Sequence, residues 1–352
     1  MGNLANTYQY IADILSFRSS KDELEKVLGN KDFNWDNIVI EGSKHLVLPT
    51  IYCRLKSKQL TYVLPKELDS YLEEITSLNR NRNTQIISQV HALTELLKAH
   101  NIEHVFLKGA ALISCCYYGD IAERMLGDID ILVNEDHLDL AFNILKNNSY
   151  YPIEQTLGND FFEHKHLPRL KTDKYICAVE LHKKLFVTYK NEELQSPKVL
   201  SSKTIVNGIF VPSPKHLLLH NILNYQINDK GNLYNSINFR SAYDCIVLYN
   251  KANIDLPKNS KTIRKYYNLL GLFFSDIPNK HKNTNSTTSF YFYKLNHIGF
   301  YKVWNKLLKL LDFSWTVMSR VPYLIGNKAY RMALFKDRKR ILTYISSVLK
   351  RT

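Results

Sequence analysis

The chain has 352 residues, of which 45% are hydrophobic and 23% are charged, and its net charge is +14. These values are ordinary for a folded protein of about two domains, and they exclude a disordered or fibrous chain. No apolar run approaches the roughly 20 residues that a membrane span needs. The N-terminal sequence lacks the pattern of a secretory signal, so we expect a cytoplasmic protein.

The cysteines support the same expectation. There are five, an odd number, and none belongs to a C-x-x-C pair. Neither a zinc ribbon nor a disulfide framework is therefore indicated, and reduced, mostly buried thiols are expected. They are Cys53, Cys115, Cys116, Cys177 and Cys245.

The positive charge belongs to the C-terminal part of the chain. Residues 251–352 contain 20 Lys or Arg against four Asp, a net charge of +16, whereas residues 1–250 contain 27 basic and 29 acidic residues. Such a surplus suggests a polyanionic partner or an anionic membrane surface. The alternative is a set of helices that carry a basic surface without any partner.

The order of elements predicts an α+β fold in which a small mixed sheet lies between two helical regions. Residues 1–100 are predicted to be helical, with one helix over residues 34–57 that Pro49 kinks. A long helix is predicted over residues 65–100, with Asn101 as its C-cap.

Residues 101–190 are predicted to form the sheet-containing core. Strands are predicted at 103–109, 127–133, 150–156, 160–167 and 174–186, and helices at 110–118 and 135–148. Residues 191–352 are predicted to be a basic, mostly helical region, in which residues 281–289 form an exposed loop.

Two aspartates occupy the strand "GDIDILV" (127–133). Asp128 and Asp130 are two residues apart, so their side chains leave the same face of a strand and can converge on one divalent cation. Glu180, in "ICAVELH", could join them from a neighbouring strand. Three carboxylates of this kind can hold the pair of metal ions that catalyses in-line phosphoryl displacement.

Upstream, a basic turn can supply phosphate contacts. Lys108 and Gly109 lie where a strand changes into a helix, a position that suits close approach of an anion to the backbone. Arg124, four residues before Asp128, can reach a phosphate or orient a carboxylate. A solvated Lys108 and a structural ion pair between Arg124 and Asp130 are the alternatives.

The combination "LKGAAL…YYGDIAERMLGDIDILV…VELHKKL" resembles the polymerase-β-type nucleotidyltransferase superfamily, and in particular a bacterial family of uncharacterised nucleotidyltransferases. The resemblance covers about residues 104–186. It implies that Asp128, Asp130 and Glu180 bind Mg²⁺ or Mn²⁺ and that an NTP is the donor. Lys108, Gly109 and Arg124 would then bind that nucleotide.

The sequence leaves the roles of several other residues open. His182 could orient a group in the site or be structural, and His164 and His166 alternate in a way that could bind zinc. Arg240 and Asp244 are spaced as an i, i+4 surface ion pair, with a place in the cleft as the alternative.

The predicted function is metal-dependent transfer of a nucleotidyl group from NTP to a hydroxyl of a protein or small molecule. Two alternatives are a toxin-like enzyme that modifies tRNA or another RNA, and a non-catalytic scaffold that binds nucleotides. The basic C-terminal region favours the RNA acceptor, and the three carboxylates argue against the scaffold.

Overall fold

The computed structural model describes residues 3–153, 161–252, 254 and 260–350. It has the predicted α+β fold, with a five-stranded mixed sheet between two helical regions. Of the strand predicted at 150–156, only residues 151–152 are strand in the described part, and residues 154–156 lie outside it.

Five α-helices precede the sheet in the described part of the chain. They are α1 (Leu4–Leu15), α2 (Lys21–Leu28), α3 (Trp35–Lys44), α4 (Leu48–Ser57) and α5 (Lys66–Ala99). Side chains of Asn3, Ser20 and Asn34 accept hydrogen bonds from backbone N–H groups in the first turns of α1, α2 and α3. Such caps satisfy N–H groups that have no partner inside the helix.

The single kinked helix predicted over residues 34–57 is wrong, because the chain forms two helices there. Leu46, between α3 and α4, has a left-handed backbone with φ of 56°. Pro49 lies in the first turn of α4, where its missing N–H costs nothing. The end of α5 is close to the prediction, since Asn101 follows the C-cap His100 and has φ of 54°.

The central sheet has the order β1-β2-β5-β4-β3. Its strands are β1 (His104–Phe106), β2 (Asp128–Val133), β3 (Tyr151–Pro152), β4 (Leu170–Lys171) and β5 (Ala178–His182). β2 and β5 pair in parallel, whereas the other neighbours are antiparallel. Helix α6 (Lys108–Ser114) follows β1, and α7 (Leu138–Asn147) follows β2. Residues 161–167 were predicted to be strand, but in this range only His166 forms a bridge, to His182.

The described residues of the C-terminal region are mostly helical, and they include one hairpin that the sequence did not predict. The hairpin consists of β6 (Thr204–Val206) and β7 (Ile209–Val211). The helices are α8 (Ser196–Ser201), α9 (Pro214–Leu223), α10 (Gly231–Tyr234), α11 (Phe239–Lys251), α12 (Lys261–Leu270), α13 (Ser286–Asn296), α14 (Ile298–Gly326), α15 (Lys328–Lys336) and α16 (Arg338–Lys350). A π-helical segment, Asn224–Asn228, extends α9.

The exposed loop predicted at residues 281–289 is partly wrong. Asn285 caps α13, its side chain accepting hydrogen bonds from the backbone of Thr287 and Thr288. Thr288 is fully buried. Because the polar residues here satisfy the first turn of a helix, their polarity reflects capping rather than a loop.

One hydrophobic core extends from α1 to α13 and includes both faces of β2. α14 contributes no buried residue to it. Within the described residues, no helix is both long enough and apolar enough to cross a membrane.

Candidate active site

The parallel pairing of β2 with β5 brings the three predicted carboxylates together. Asp130 lies directly opposite Glu180, and Asp128 lies opposite Ala178, two residues earlier on each strand. Asp130 and Glu180 are buried, whereas Asp128, the first residue of β2, is half-buried. Side chains two residues apart on a strand share a face, so all three carboxylates face one cleft.

Basic side chains neutralise these carboxylates. Lys108 Nζ donates to Asp130 Oδ1 at 2.7 Å, and His182 Nε2 is 2.8 Å from the same oxygen. The guanidinium of Arg169 bridges the other two, with Nη2 2.9 Å from Asp128 Oδ2 and 2.6 Å from Glu180 Oε1. The buried negative charges therefore have the partners that burial demands.

The surroundings shift the pKa values of the three carboxyl groups in different directions. At Asp130 burial is outweighed by the charge of Lys108 and the hydrogen bond with His182, so its pKa lies well below the usual range. At Glu180 burial is outweighed by His182 and Arg169, and the pKa is about 2. Burial and the charge of Asp130 raise the pKa of Asp128. Asp130 and Glu180 are thus ionised at neutral pH, the form that binds a metal ion.

The donor atoms suit a divalent cation. One ligand atom each from Asp130, Glu180 and His182 lies within 4.8 Å of the other two. Asp128 and Glu180 share one cation already, since both bind Arg169. Several carboxylate oxygens facing one cleft are the donor set that Mg²⁺ and Mn²⁺ prefer.

The Lys-Gly turn is strained and closely packed. Lys108 has φ of 50°, a left-handed conformation that is rare for a residue with a side chain. The backbone N–H of Leu107 donates to the carbonyl of Asp130 at 2.8 Å, which ties the turn to β2. A Cβ on Gly109 would lie 2.8 Å from Leu126 Cγ. Gly109 therefore allows α6 to pack against the segment that leads into β2.

We expect Gly109→Ala to destabilise the fold by about 1–2 kcal/mol, because an added methyl group overpacks the contact with Leu126. Gly127→Ala is the matched control, since nothing lies within 4 Å of a Cβ there. Urea denaturation of both variants measures the difference. Equal midpoints for the two variants would show that Leu126 moves aside at no cost.

The long helix α5 holds the segment that precedes β2. Asn79 and Asn83 donate side-chain hydrogen bonds to the carbonyls of Ala122 and Arg124. Farther along, the amide of Gln89 bonds both backbone groups of Cys177, just before β5. One helix thus fixes the entry of both carboxylate-bearing strands.

Arg124 lies beside the cleft but is held by an acidic partner. Its Nε donates to Asp244 Oδ2 at 3.0 Å, and Tyr118 Oη donates to Asp244 Oδ1 at 2.6 Å. All but a small part of Arg124 and Asp244 is buried. Burial alone would lower the pKa of Arg124, but the charge of Asp244 outweighs it and raises that pKa.

The predicted surface ion pair between Arg240 and Asp244 is therefore wrong. Asp244 is 1% exposed and binds Arg124 and Tyr118 instead. The i, i+4 spacing was correct for a helix, but this face of α11 packs against the core rather than facing solvent. The predicted alternative, a place for Arg240 in the cleft, matches the observed position.

A polar cavity of about 300 Å³ adjoins Lys108. It lies between the sheet-containing core and the C-terminal helices, and Arg124, His220, Asp229 and Arg240 are among the residues that line it. Among the described residues, the guanidinium of Arg240 has no hydrogen-bond or ion-pair partner. Burial and the charge of Arg124 lower the pKa of Arg240, as expected for two guanidinium groups that share a partly dry cavity.

Another cation lies near the carboxylates. The pKa of Lys165 is lowered by burial and by the charge of Lys108. The charges of Asp130 and Glu180 act in the opposite direction but do not outweigh these two effects. The cavity and the carboxylate cluster therefore adjoin each other across Lys108, with Arg240 and Lys165 as cations that a bound anion would stabilise.

Sequence reasoning missed Arg169, Lys165 and Asp229. Lys165 falls in a segment that was predicted to be a strand but is irregular, Arg169 lies just before β4, and Asp229 follows the π-helical segment.

His164 and His166 are the two histidines that the sequence offered as possible zinc ligands. His166 Nε2 lies 3.7 Å from Glu180 Oε2, and its ring centroid lies 5.0 Å from that of His182. The metal-capable group of the described residues consists of Asp130, Glu180 and His182, and it does not include His164 or His166. The described residues therefore lend no support to a zinc site at His164 and His166.

The two carboxylate-bearing strands and the Lys-Gly turn, which carry the resemblance noted in the sequence, lie together in the structure. Residues 31–272 match the sequence profile of a family described as uncharacterised nucleotidyltransferase. Since the match covers more than half of the chain, the protein belongs to this family, which confirms the predicted resemblance.

The chain was also compared with curated proteins and with solved structures. No curated protein matches the chain. Among solved structures, an antigenic nucleotidyltransferase-like protein from Paracoccidioides brasiliensis is similar, with 21% sequence identity and a TM-score of 0.36. The similar part covers 53% of this chain and 88% of that one.

Proposed function

We propose that this protein is a metal-dependent nucleotidyltransferase that moves a nucleoside monophosphate from an NTP to a hydroxyl of a protein or small molecule. The observation that carries the proposal is the register of β2 and β5, which sets Asp130 opposite Glu180. Asp128 and Glu180 both bind the guanidinium of Arg169, so these two carboxylates also lie close together. Membership of a nucleotidyltransferase family supports the general class of reaction.

Asp128, Asp130 and Glu180 would hold Mg²⁺ or Mn²⁺, and His182 would orient Asp130 through Nε2. Two bound divalent ions would neutralise charge on the phosphates and on the attacking and leaving oxygens. Arg169 must first leave Asp128 and Glu180. Its side chain is 44% exposed, so the movement into solvent or onto a phosphate needs no rearrangement of the core.

The triphosphate would lie in the cavity beside Lys108. Arg240 lines this cavity, and a guanidinium can bind phosphate oxygens with two parallel hydrogen bonds. Lys165 is a further cation, beside Lys108 and the carboxylates. Asn238, the N-cap of α11, also lines this cavity, so the positive end of the helix dipole lies near the proposed phosphate position.

The reaction would be an in-line displacement at the α-phosphorus. The acceptor oxygen forms a bond to that phosphorus, the bond to the oxygen that bridges to the β-phosphate breaks, and pyrophosphate leaves. The hydroxyl proton would pass to Glu180. His182 and Arg169 hold the pKa of Glu180 at about 2, so this carboxylate is ionised and can accept the proton.

Labelled nucleotides test the proposal. The protein would be incubated with a cell extract, Mg²⁺ or Mn²⁺, and each NTP carrying the label on either the α- or the γ-phosphate. Nucleotidyl transfer predicts acceptor labelling from the α-position alone. Labelling from the γ-position would identify a phosphoryl transferase instead, and label in RNA would replace the proposed acceptor with a nucleic acid.

We expect Arg240→Ala to raise the Kd for NTP about tenfold or more, because a charged hydrogen-bond donor in a partly buried cavity is lost. Arg264→Ala, which removes an exposed arginine of α12, is the matched control. Titration calorimetry with Mn²⁺ present measures both constants. Equal Kd values would place the triphosphate outside this cavity.

A further inference from the structure

α14 is a helix of 29 residues whose exposed apolar side contacts α13 at its start, where the ring of Phe300 lies near those of Phe290 and Tyr293. None of its residues is buried. Phe300, Val303, Leu307, Leu311, Trp315 and Met318 are all exposed, and Trp315 is 78% exposed. Spacings of three and four residues place these side chains on one side of the helix. An exposed apolar stripe of this length marks an interaction surface.

The charge on the same segment is almost entirely positive. Residues 298–340 contain ten Lys or Arg and two Asp. Both acids are already paired, Asp312 with Lys230 and Asp337 with Arg340. On α14 itself Lys302, Lys306 and Lys309 are exposed. The partner of this helix must therefore be both apolar and anionic at its surface.

These two properties separate the candidate partners. A second copy of the chain would bring another row of lysines against this one, and the acids that could pair across such an interface are already engaged. A nucleic acid would bind the lysines but leave Leu311, Trp315 and Met318 in water. An anionic bilayer offers acyl chains for the stripe and headgroups for the cations.

We propose that α14 binds in the plane of an anionic lipid bilayer, with its apolar stripe at the boundary between headgroups and acyl chains. Trp315 lies near the C-terminal end of the stripe, and tryptophan favours this boundary. α14 also begins after the family match, which ends at residue 272. The proposed membrane surface thus lies outside the part of the chain that matches the family.

Vesicle binding tests this proposal with the full chain. The probes are phosphatidylcholine vesicles with roughly one-third phosphatidylglycerol and vesicles of phosphatidylcholine alone. We expect sedimentation with the anionic vesicles, binding to neutral vesicles that is about tenfold weaker, and quenching of tryptophan fluorescence by brominated lipid. The Trp315→Phe variant should lose the part of the quenching that Trp315 contributes, whereas Trp304 of α14 remains.

Leu311→Glu should abolish vesicle binding, and Lys302→Glu/Lys306→Glu should weaken binding to the anionic vesicles. The matched control is Leu78→Glu, which introduces the same charge at a residue of α5 that is 61% exposed. Because each replaced side chain is exposed, circular dichroism should show unchanged folding in every variant. Any of three results would overturn the proposal: no binding to anionic vesicles, equal loss of binding in Leu78→Glu, or self-association that Leu311→Glu abolishes in the absence of lipid.

Discussion

We expect the Asp128→Asn/Asp130→Asn variant to lose nucleotidyl transfer by roughly a thousandfold or more. Asparagine keeps the shape of the side chain but removes the charges that would hold the divalent ions. The ions are worth several kcal/mol to phosphoryl displacement, and each 1.4 kcal/mol corresponds to about tenfold in rate. Initial rates of label transfer from an α-labelled NTP measure the effect.

Folding must be separated from chemistry in this experiment. Asp130 neutralises the partly buried Lys108, so its replacement also removes an ion pair. Asp128→Asn alone perturbs only the half-exposed contact with Arg169 and serves as the fold-preserving variant. Asp136→Asn, at an exposed residue just after β2, is the matched control and should keep full activity. Transfer at an undiminished rate by the double variant would refute the assignment of these carboxylates.

Asp244→Ala is expected to have the largest effect on stability, about 3–5 kcal/mol, because it leaves the buried guanidinium of Arg124 without its anion. The same change removes the acceptor of Tyr118 Oη. Asp244 lies on α11 and Arg124 just before β2, so the pair joins the C-terminal helices to the core. Urea denaturation followed by circular dichroism measures the loss.

Glu135→Ala is the control for that measurement. Glu135 is exposed and pairs with Lys183 at the surface, where the ion pair is screened by solvent, so the denaturation midpoint should not change. If Asp244→Ala behaved like Glu135→Ala, the interaction of Arg124 with Asp244 would not hold the two regions together.

The parts of the site that lie on regular strands could be predicted from the sequence. Alternation along a strand put Asp128 and Asp130 on one face, and the same rule put Glu180 and His182 together on another strand. The pairing that sets Asp130 opposite Glu180 was not derivable from either strand alone. Register depends on long-range contacts, so the sequence predicted only that a neighbouring strand could bring Glu180 beside the two aspartates.

The parts that escaped prediction depend on tertiary contacts. Arg169 lies between Pro168 and β4, in a segment without periodicity. The sequence therefore does not predict that its side chain contacts Asp128 and Glu180. Asp244 has a surface-like spacing from Arg240, but its true partner is 120 residues away. Likewise, residues 45–47 separate two helices because Leu46 adopts a left-handed backbone, which the amphipathic pattern does not reveal.

A crystal structure with Mn²⁺ and a non-hydrolysable NTP analogue tests the central claim most directly. Anomalous scattering locates Mn²⁺ without reference to any assumed site. The proposal predicts manganese about 2.0–2.6 Å from oxygens of Asp128, Asp130 and Glu180, with Arg169 displaced and the triphosphate beside Lys108 and Arg240. Manganese bound elsewhere, or Arg169 still bridging Asp128 and Glu180 with the nucleotide bound, would contradict it.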